Sequence, residues 1–111
     1  GSSPATSFDC SGFVYWCINK AGISQGYMTS YMWRSCTRYQ RNNNINNVKR
    51  GDVIVYYGHV AICSGKWTMI DASQSNGRIV ERSFNSNYWH RNFIAHSAYS
   101  DNIGKAVEQK I

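Results

Sequence analysis

Four cysteines offer the strongest nucleophile in this sequence. A cysteine reacts as a thiolate, and the unpaired N–H groups at a helix N-terminus lower the pKa of a thiol placed there. Only Cys10 is predicted to have that position, because it opens a run of apolar residues with helical spacing. Cys17 and Cys36 fall later in predicted helices, and Cys63 falls within a predicted strand. Cys10 is therefore the candidate nucleophile, with a small buried core residue as the alternative interpretation.

A cysteine nucleophile requires a base, and His59 is the best placed of the three histidines. It follows Gly58 and opens a β-rich segment, where alternation places it on one face with Ala61 and Cys63. A histidine that only forms structural hydrogen bonds would fit the same pattern. His59 is the candidate general base.

Asp71 is the candidate for the third member of a catalytic triad, which fixes the tautomer and orientation of the base. It ends the segment that follows the His59 strand, and from there it can reach a histidine on its hairpin neighbour. A carboxylate that only caps the turn at Ala72-Ser73 is an equally good interpretation. The three residues together have the types that cysteine-dependent acyl transfer needs.

These residues require a helix for Cys10 and a sheet for the other two. The apolar positions after Cys10 recur on one helix face up to Ala21, and Gly22 favours a stop there. A second helix is predicted between about Thr29 and Tyr39. Residues 1–9 predict a loop because they hold Gly, Ser, Thr and the only Pro, and the Asn-rich residues 41–47 predict another.

The second half of the chain predicts an antiparallel meander. Its short β-rich segments cover residues 53–57, 59–63, 67–72 and 78–84, and residues 93–96 are expected to add a last strand. Gly58, Ser64-Gly65 and Asn76-Gly77 separate the segments, and Asn-Gly is a strong hairpin signal. Helices followed by a meander predict an α+β fold, with N-terminal helices packed on an antiparallel sheet of about five strands.

Length and composition limit the class of protein. A chain of 111 residues with 14% aromatic residues predicts one folded domain and excludes wholesale disorder. Its apolar runs fall far short of the roughly 20 residues that span a bilayer. The net charge of +6 favours a polyanionic partner such as an acidic cell wall. The positive residues are scattered rather than clustered, which argues against nucleic acid.

No metal site or cofactor is predicted. The sequence has no Cys-x-x-Cys pair and no two histidines at the helical spacing of a metal couple. The four cysteines permit two disulfides in an exported protein. Free thiols are the favoured interpretation, because the cysteine density lies below that of a disulfide scaffold.

Four motifs occur in order along nearly the whole chain. They resemble those of the NlpC-type cysteine peptidases, bacterial γ-D-glutamyl endopeptidases that cut peptidoglycan stem peptides. Asp-Cys-Ser-Gly-Phe-Val at the helix start is the most specific of them. The motifs are Ser3-Pro4 through Phe8-Asp9-Cys10-Ser11-Gly12-Phe13-Val14, then Gly51-Asp52-Val53-Ile54, Gly58-His59-Val60-Ala61-Ile62 and Ile70-Asp71-Ala72.

The resemblance implies a papain-like fold and a role for each matching residue. Cys10 would be the nucleophile, His59 the general base and Asp71 the third residue, at a position where the family most often has His. Asp9, Ser11 and Ser30 would be substrate-cleft residues. The implied reaction is hydrolysis of the bond between D-γ-glutamate and the diamino acid, diaminopimelate or lysine, through an acyl-enzyme. The partners would be peptidoglycan stem peptides.

The resemblance also implies an architecture and a location. Residues 1–111 are expected to form a single, monomeric catalytic domain, truncated at its N-terminus and belonging to a longer bacterial protein that is secreted or wall-associated, with its export signal outside this chain. The alternatives are an N-acetylmuramoyl-L-alanine amidase, a papain-like amidase that cuts interpeptide bridges, and a non-catalytic wall-binding module.

Overall fold

The computed structural model describes residues 9–73 and 78–93, and the backbone of residues 98 and 99. Helix α1 covers Cys10–Lys20, as the apolar spacing predicted. The Asp9 carboxylate caps it by accepting a hydrogen bond from the backbone N–H of Gly12. Gly22 follows with a φ of 95°, a left-handed conformation that favours glycine and ends the helix. The predicted loop over residues 1–9 lies outside the described residues except for Asp9.

Helix α2 is shorter than predicted and covers only Ser30–Arg34, with Thr29 as its N-cap. Its single buried side chain is Trp33, so the segment has no continuous apolar stripe to extend the helix. After the helix the chain folds back, and the Tyr39 ring stacks on Trp33 with 5.9 Å between ring centroids. The prediction of a helix as far as Tyr39 was wrong because this aromatic contact replaces the later turns.

The Asn-rich segment is mostly irregular, as predicted. Strand β1 covers Arg41–Asn42, and a short 3-10 helix covers Ile45–Asn47. The Asn42 and Asn44 side chains each accept a hydrogen bond from the backbone N–H two residues later. Such bonds satisfy the backbone locally and favour turns over longer regular structure.

Four longer strands follow in the predicted meander. They are β2 (Val53–Tyr56), β3 (His59–Gly65), β4 (Thr68–Ser73) and β5 (Arg78–Ser83). Helix α3 (Asn87–Phe93) and strand β6 (Ala98–Tyr99) come last. All pairings are antiparallel, and the strand order is β1-β6-β2-β3-β4-β5, so the described sheet has six strands. The predicted Asn76-Gly77 turn lies outside the described residues.

The predicted strand over residues 93–96 was wrong at its first residue, because Phe93 ends α3; residues 94–96 lie outside the described part of the chain. Phe93 is 2% exposed and packs under the sheet. Helical geometry delivers the Phe93 and Trp89 rings, four residues apart, to the same surface.

The sheet separates two layers of core. One face packs against α1, and the other packs against α3 and the segment before it. On β3, Val60 and Ile62 belong to the first layer, while Ala61 and Cys63 belong to the second. This is the division of faces that the alternation predicted. The α+β fold, with a Cys10-bearing helix packed on an antiparallel sheet, is confirmed.

Candidate active site

Cys10 is the first residue of α1 and is 8% exposed. Burial alone would raise the pKa of its thiol, but hydrogen bonds from His59 and from the backbone N–H groups of Val60 and Ser11 outweigh burial and lower it. Two of these donors, His59 and Val60, belong to strand β3. The N-terminus of α1 and the start of β3 therefore favour the thiolate together.

The other buried cysteines have the opposite electrostatics. Burial raises the pKa of Cys17 to about 12 and that of Cys63 to about 11. All four cysteines, including the half-buried Cys36, are free thiols, which is the state that the sequence favoured. Among these buried thiols, only Cys10 has its charged form stabilised.

His59 is the first residue of β3 and links Cys10 to Asp71. Its Nε2 donates a hydrogen bond to Asp71 Oδ2 over 2.8 Å, which leaves Nδ1 as the ring nitrogen for the Cys10 sulfur. Burial alone would lower the pKa of His59, but the hydrogen bonds and charges of Asp71 and Cys10 raise it to about 9. The imidazole is thus held protonated at neutral pH, beside a thiol whose ionisation it favours.

Asp71 is completely buried on β4, with 0% of its surface exposed. Burial would raise the pKa of this carboxyl, but the hydrogen bonds from His59 and Arg82 outweigh burial and lower it. Arg82, on β5, donates from Nε to Oδ1 over 3.1 Å and from Nη2 to Oδ2 over 2.6 Å. The carboxylate is therefore ionised and touches two cations.

Trp89 of α3 packs beside the His59 and Arg82 side chains that hold Asp71. Its ring centroid lies 6.0 Å from that of His59 and 4.8 Å from that of Tyr56. The Arg82 guanidinium lies over the same ring, 5.0 Å from its centroid, at the distance of a cation–π contact. The indole thus packs against both cationic partners of Asp71.

A cleft of about 530 Å³ opens over Cys10 and His59. Its wall combines aromatic rings with polar side chains, a composition that suits a polar peptide chain. The residues lining it are Cys10, Tyr56, Tyr57, Gly58, His59, Ser73, Arg82, Tyr88, Trp89 and Asn92.

The three expected substrate-cleft residues lie elsewhere than in this lining. The Asp9 carboxylate accepts from the Gly12 N–H over 2.6 Å and so is engaged in capping α1. Ser11 is 6% exposed and shares a hydrogen bond of 2.8 Å with the Tyr27 hydroxyl. Ser30 begins α2 and is half-buried. Asp9 and Ser11 flank Cys10 in the chain, but the structure does not bring Ser30 into the cleft with Cys10.

Two residues of the site escaped the sequence analysis, Arg82 and Trp89. Arg82 alternates with the exposed Glu81 on β5, and its position on the Asp71 face is readable only once β4 and β5 are paired. Trp89 belongs to a helix of seven residues with one buried position, too short for a clear helical pattern.

Within the described residues no group of three or more His, Cys, Asp or Glu side chains is arranged to hold a metal ion. None of the helices there has the length and apolar character needed to cross a membrane.

Several known proteins are similar to this chain. The Escherichia coli murein DD-endopeptidase MepH is 28% identical over 104 residues, covering 85% of this chain and 37% of its own length. The Bacillus licheniformis peptidoglycan DL-endopeptidase CwlO is 31% identical over 91 residues, covering 78% of this chain and 20% of its own length. The chain thus spans well under half the length of these two relatives.

A solved structure and a family match agree with these relatives. The crystal structure of a lipoprotein-like protein of the NLP/P60 family from Staphylococcus aureus superposes with a TM-score of 0.64 at 27% identity, covering 89% of this chain and 34% of that one. Residues 1–98 match the NlpC/P60 family, a region that includes every residue of the site described above. The chain belongs to the NlpC/P60 family.

Proposed function

We propose that this domain is a cysteine peptidase that hydrolyses amide bonds in the stem peptides of peptidoglycan. The observation that carries the proposal is the hydrogen-bonded line from Cys10 through His59 to Asp71, which opens into a cleft. Membership of the NlpC/P60 family supports the substrate class, since two similar proteins are named as murein and peptidoglycan endopeptidases.

In the proposed first step the Cys10 sulfur attacks the scissile carbonyl carbon. A C–S bond forms, and the carbonyl oxygen takes up the negative charge. We assign the stabilisation of that oxygen to the backbone N–H of Cys10, because a helix N-terminus such as that of α1 favours negative charge. Removal of such a donor typically lowers kcat by about 100–1000-fold.

The tetrahedral intermediate then collapses, and the C–N bond breaks. The protonated His59 donates its Nδ1 proton to the leaving amine, so the amine departs neutral. Water attacks the thioester with His59 as the base, which breaks the C–S bond and releases a carboxylic acid and the Cys10 thiolate. Asp71 holds the imidazole by its Nε2 through both steps.

The proposed bond lies between D-γ-glutamate and the diamino acid, diaminopimelate or lysine, of the stem peptide. This choice rests on the resemblance of the Cys10 and His59 motifs to those of the NlpC-type γ-D-glutamyl endopeptidases. A second candidate, cleavage of a bridge between stem peptides, is favoured by the name of one relative, a murein DD-endopeptidase. The net charge of +6 suits work at an anionic wall outside the cell by either reaction.

The test is a digest of purified peptidoglycan, of both the diaminopimelate and the lysine type, by the protein and by its Cys10→Ala variant. Cys36→Ser is the matched control, because it removes a half-buried thiol that does not line the cleft. Mass spectrometry of the fragments identifies the new amine and carboxyl ends and thereby the bond.

We expect the protein and its Cys36→Ser variant to release fragments that end in D-glutamate, and Cys10→Ala to release none. If Cys10→Ala released the same fragments in equal amounts, Cys10 could not be the nucleophile. A folded protein that releases nothing from either substrate would instead support a non-catalytic wall-binding module.

A further inference from the structure

Asp71 is held by more than the base it serves. Its Oδ2 accepts both the 2.8 Å hydrogen bond from His59 and the 2.6 Å hydrogen bond from Arg82 Nη2. Its Oδ1 accepts a third bond, of 3.1 Å, from Arg82 Nε. The planar guanidinium therefore engages both carboxylate oxygens at once, which fixes the rotation of the carboxylate as well as its position.

Arg82 is itself held in place. It lies on β5, where Met69 is its partner in the pairing with β4, so its side chain reaches diagonally to Asp71. On the other side its guanidinium packs over the Trp89 ring, 5.0 Å from the centroid. A side chain anchored on two sides loses little further entropy when it binds the carboxylate.

A buried carboxylate needs such a partner. An aspartate that is 0% exposed pays a large cost for its charge, and without compensation it takes up a proton instead. A protonated Asp71 would lose most of its attraction for the His59 imidazolium, and a rotated one would no longer align Nδ1 with the Cys10 sulfur. A carboxylate as the third residue of the proposed triad therefore requires a cation beside it.

We propose that Arg82 is a positioning residue of the catalytic site, which keeps Asp71 ionised and in one orientation so that His59 is aligned with Cys10. The proposal rests on the proposed role of Cys10 as the nucleophile. Arg82 acts through Asp71, and the fork of its guanidinium matters as well as its charge.

The experiment follows the thiolate itself and needs no substrate. The rate of Cys10 alkylation by iodoacetamide, a neutral reagent, is measured between pH 4 and pH 10 from the mass of the Cys10 peptide. The proteins compared are the unaltered chain, Arg82→Met, Arg82→Lys and the matched control Arg78→Met. Arg78 is an exposed arginine on the same strand that is not among the groups shifting the pKa of Asp71, so the control removes an equal charge without removing a partner of that carboxylate.

We expect Arg82→Met to move the midpoint of the alkylation profile upward by about one pH unit, and so to slow alkylation about tenfold below the midpoint. Arg82→Lys, which keeps the charge but loses the fork, should retain the midpoint and react more slowly. The control should match the unaltered chain. With a substrate in hand, Arg82→Lys should lower kcat and leave KM nearly unchanged.

A folded Arg82→Met with the unaltered midpoint would overturn the proposal. Should Arg82→Met fail to fold, Arg82→Lys decides: full recovery of both folding and alkylation rate would show that a cation of any shape suffices, and would overturn the positioning role. If the unaltered chain alkylates with the midpoint of an ordinary thiol, the proposed function fails and this inference fails with it. A depressed midpoint that is unaffected by Arg82→Met defeats only the inference.

Discussion

His59 and Asp71 meet diagonally across β3 and β4. Ile62 of β3 is paired with Ile70 of β4, and extending this register places Asp71 opposite Ala61 rather than opposite His59. The 2.8 Å hydrogen bond therefore joins side chains that are offset by two residues along the strands, on the same face of the sheet. A slip of β4 by one residue would move Asp71 to the α1 face and break its hydrogen bond with His59.

Asp71→Asn removes the charge and keeps the shape of the side chain. Because both the hydrogen bond and the charge of Asp71 raise the pKa of His59, the loss of activity at alkaline pH should begin at a lower pH in the variant. We expect kcat to fall by roughly 100-fold and the free energy of unfolding to fall by about 1–3 kcal/mol. Steady-state kinetics and urea denaturation measure the two effects. Glu81→Gln is the control, an equal change at an exposed position of β5, and an equal loss of kcat there would contradict the prediction.

The activity of the unaltered protein should fall as the pH rises through about 9. The proposed active form pairs a thiolate with a protonated His59, whose pKa is raised to about 9, while that of Cys10 is lowered. The raised pKa also means that His59 stabilises the fold fully below its unfolded value of about 6.5 and loses this contribution as the pH rises through about 9. The measurement is kcat/KM against pH. A rate that keeps rising beyond pH 9, as an ordinary thiol would give, would refute the ion pair.

Asp9 offers a way to separate capping from substrate binding. Asp9→Ala removes the cap of α1 and should lower the free energy of unfolding by about 1 kcal/mol. Asp9→Asn keeps a good N-cap, so its stability should stay close to that of the unaltered protein. Thermal denaturation compares the two variants. A raised KM in Asp9→Asn at unchanged stability would support the proposed substrate role, whereas an unchanged KM would leave Asp9 with capping alone.

Asp52 should make the protein less stable as the pH rises from about 4 to about 6. Burial raises the pKa of its carboxyl from 3.8 to about 6, although the Lys49 backbone N–H and the Lys49 charge act to lower that pKa. In that interval the folded protein therefore binds more protons than the unfolded chain, so rising pH costs stability, at most about 3 kcal/mol.

The variant that tests this is Asp52→Asn, whose amide oxygen can still accept from the Lys49 N–H. Urea denaturation at pH 4.5, 5.5 and 6.5 should show the variant gaining stability relative to the unaltered protein at each step. Parallel behaviour of the two proteins over this interval would contradict the prediction. The comparison cancels the contributions of His59 and Asp71, because both proteins contain them.

The elements that the sequence predicted well are those with local signals. The start of α1 is marked by a capping Asp9 and a helical run of apolar residues, and its end is marked by Gly22. The faces of β3 follow from strict alternation, which set His59 apart from Val60 and Ile62. Each of these features depends on residues close together in the chain.

Features that depend on distant contacts were missed or misplaced. The contact between Arg82 and Asp71 depends on strand pairing, and the observed register places Val80 opposite Asp71. A two-residue turn at Asn76-Gly77 would place Arg82 opposite Asp71 instead. Either register puts the Arg82 and Asp71 side chains on one face of the sheet. Pairing β4 with β5 from the sequence would therefore have predicted their contact. The length of α2 follows from the packing of Tyr39 on Trp33, which no local pattern encodes.

The sheet separates the two core layers, and the reactivity of the Cys10 thiol depends on contact across their boundary. Cys10 belongs to a helix on one side, while the His59 and Asp71 side chains lie toward the other, and Cys10 and His59 meet at the start of β3. A molecule in which α1 detaches would lose the His59 and Val60 hydrogen bonds, which are among the interactions that lower the pKa of the Cys10 thiol. A damaged or partly folded copy would therefore lack the proposed activity, which requires α1 and the sheet to stay in contact.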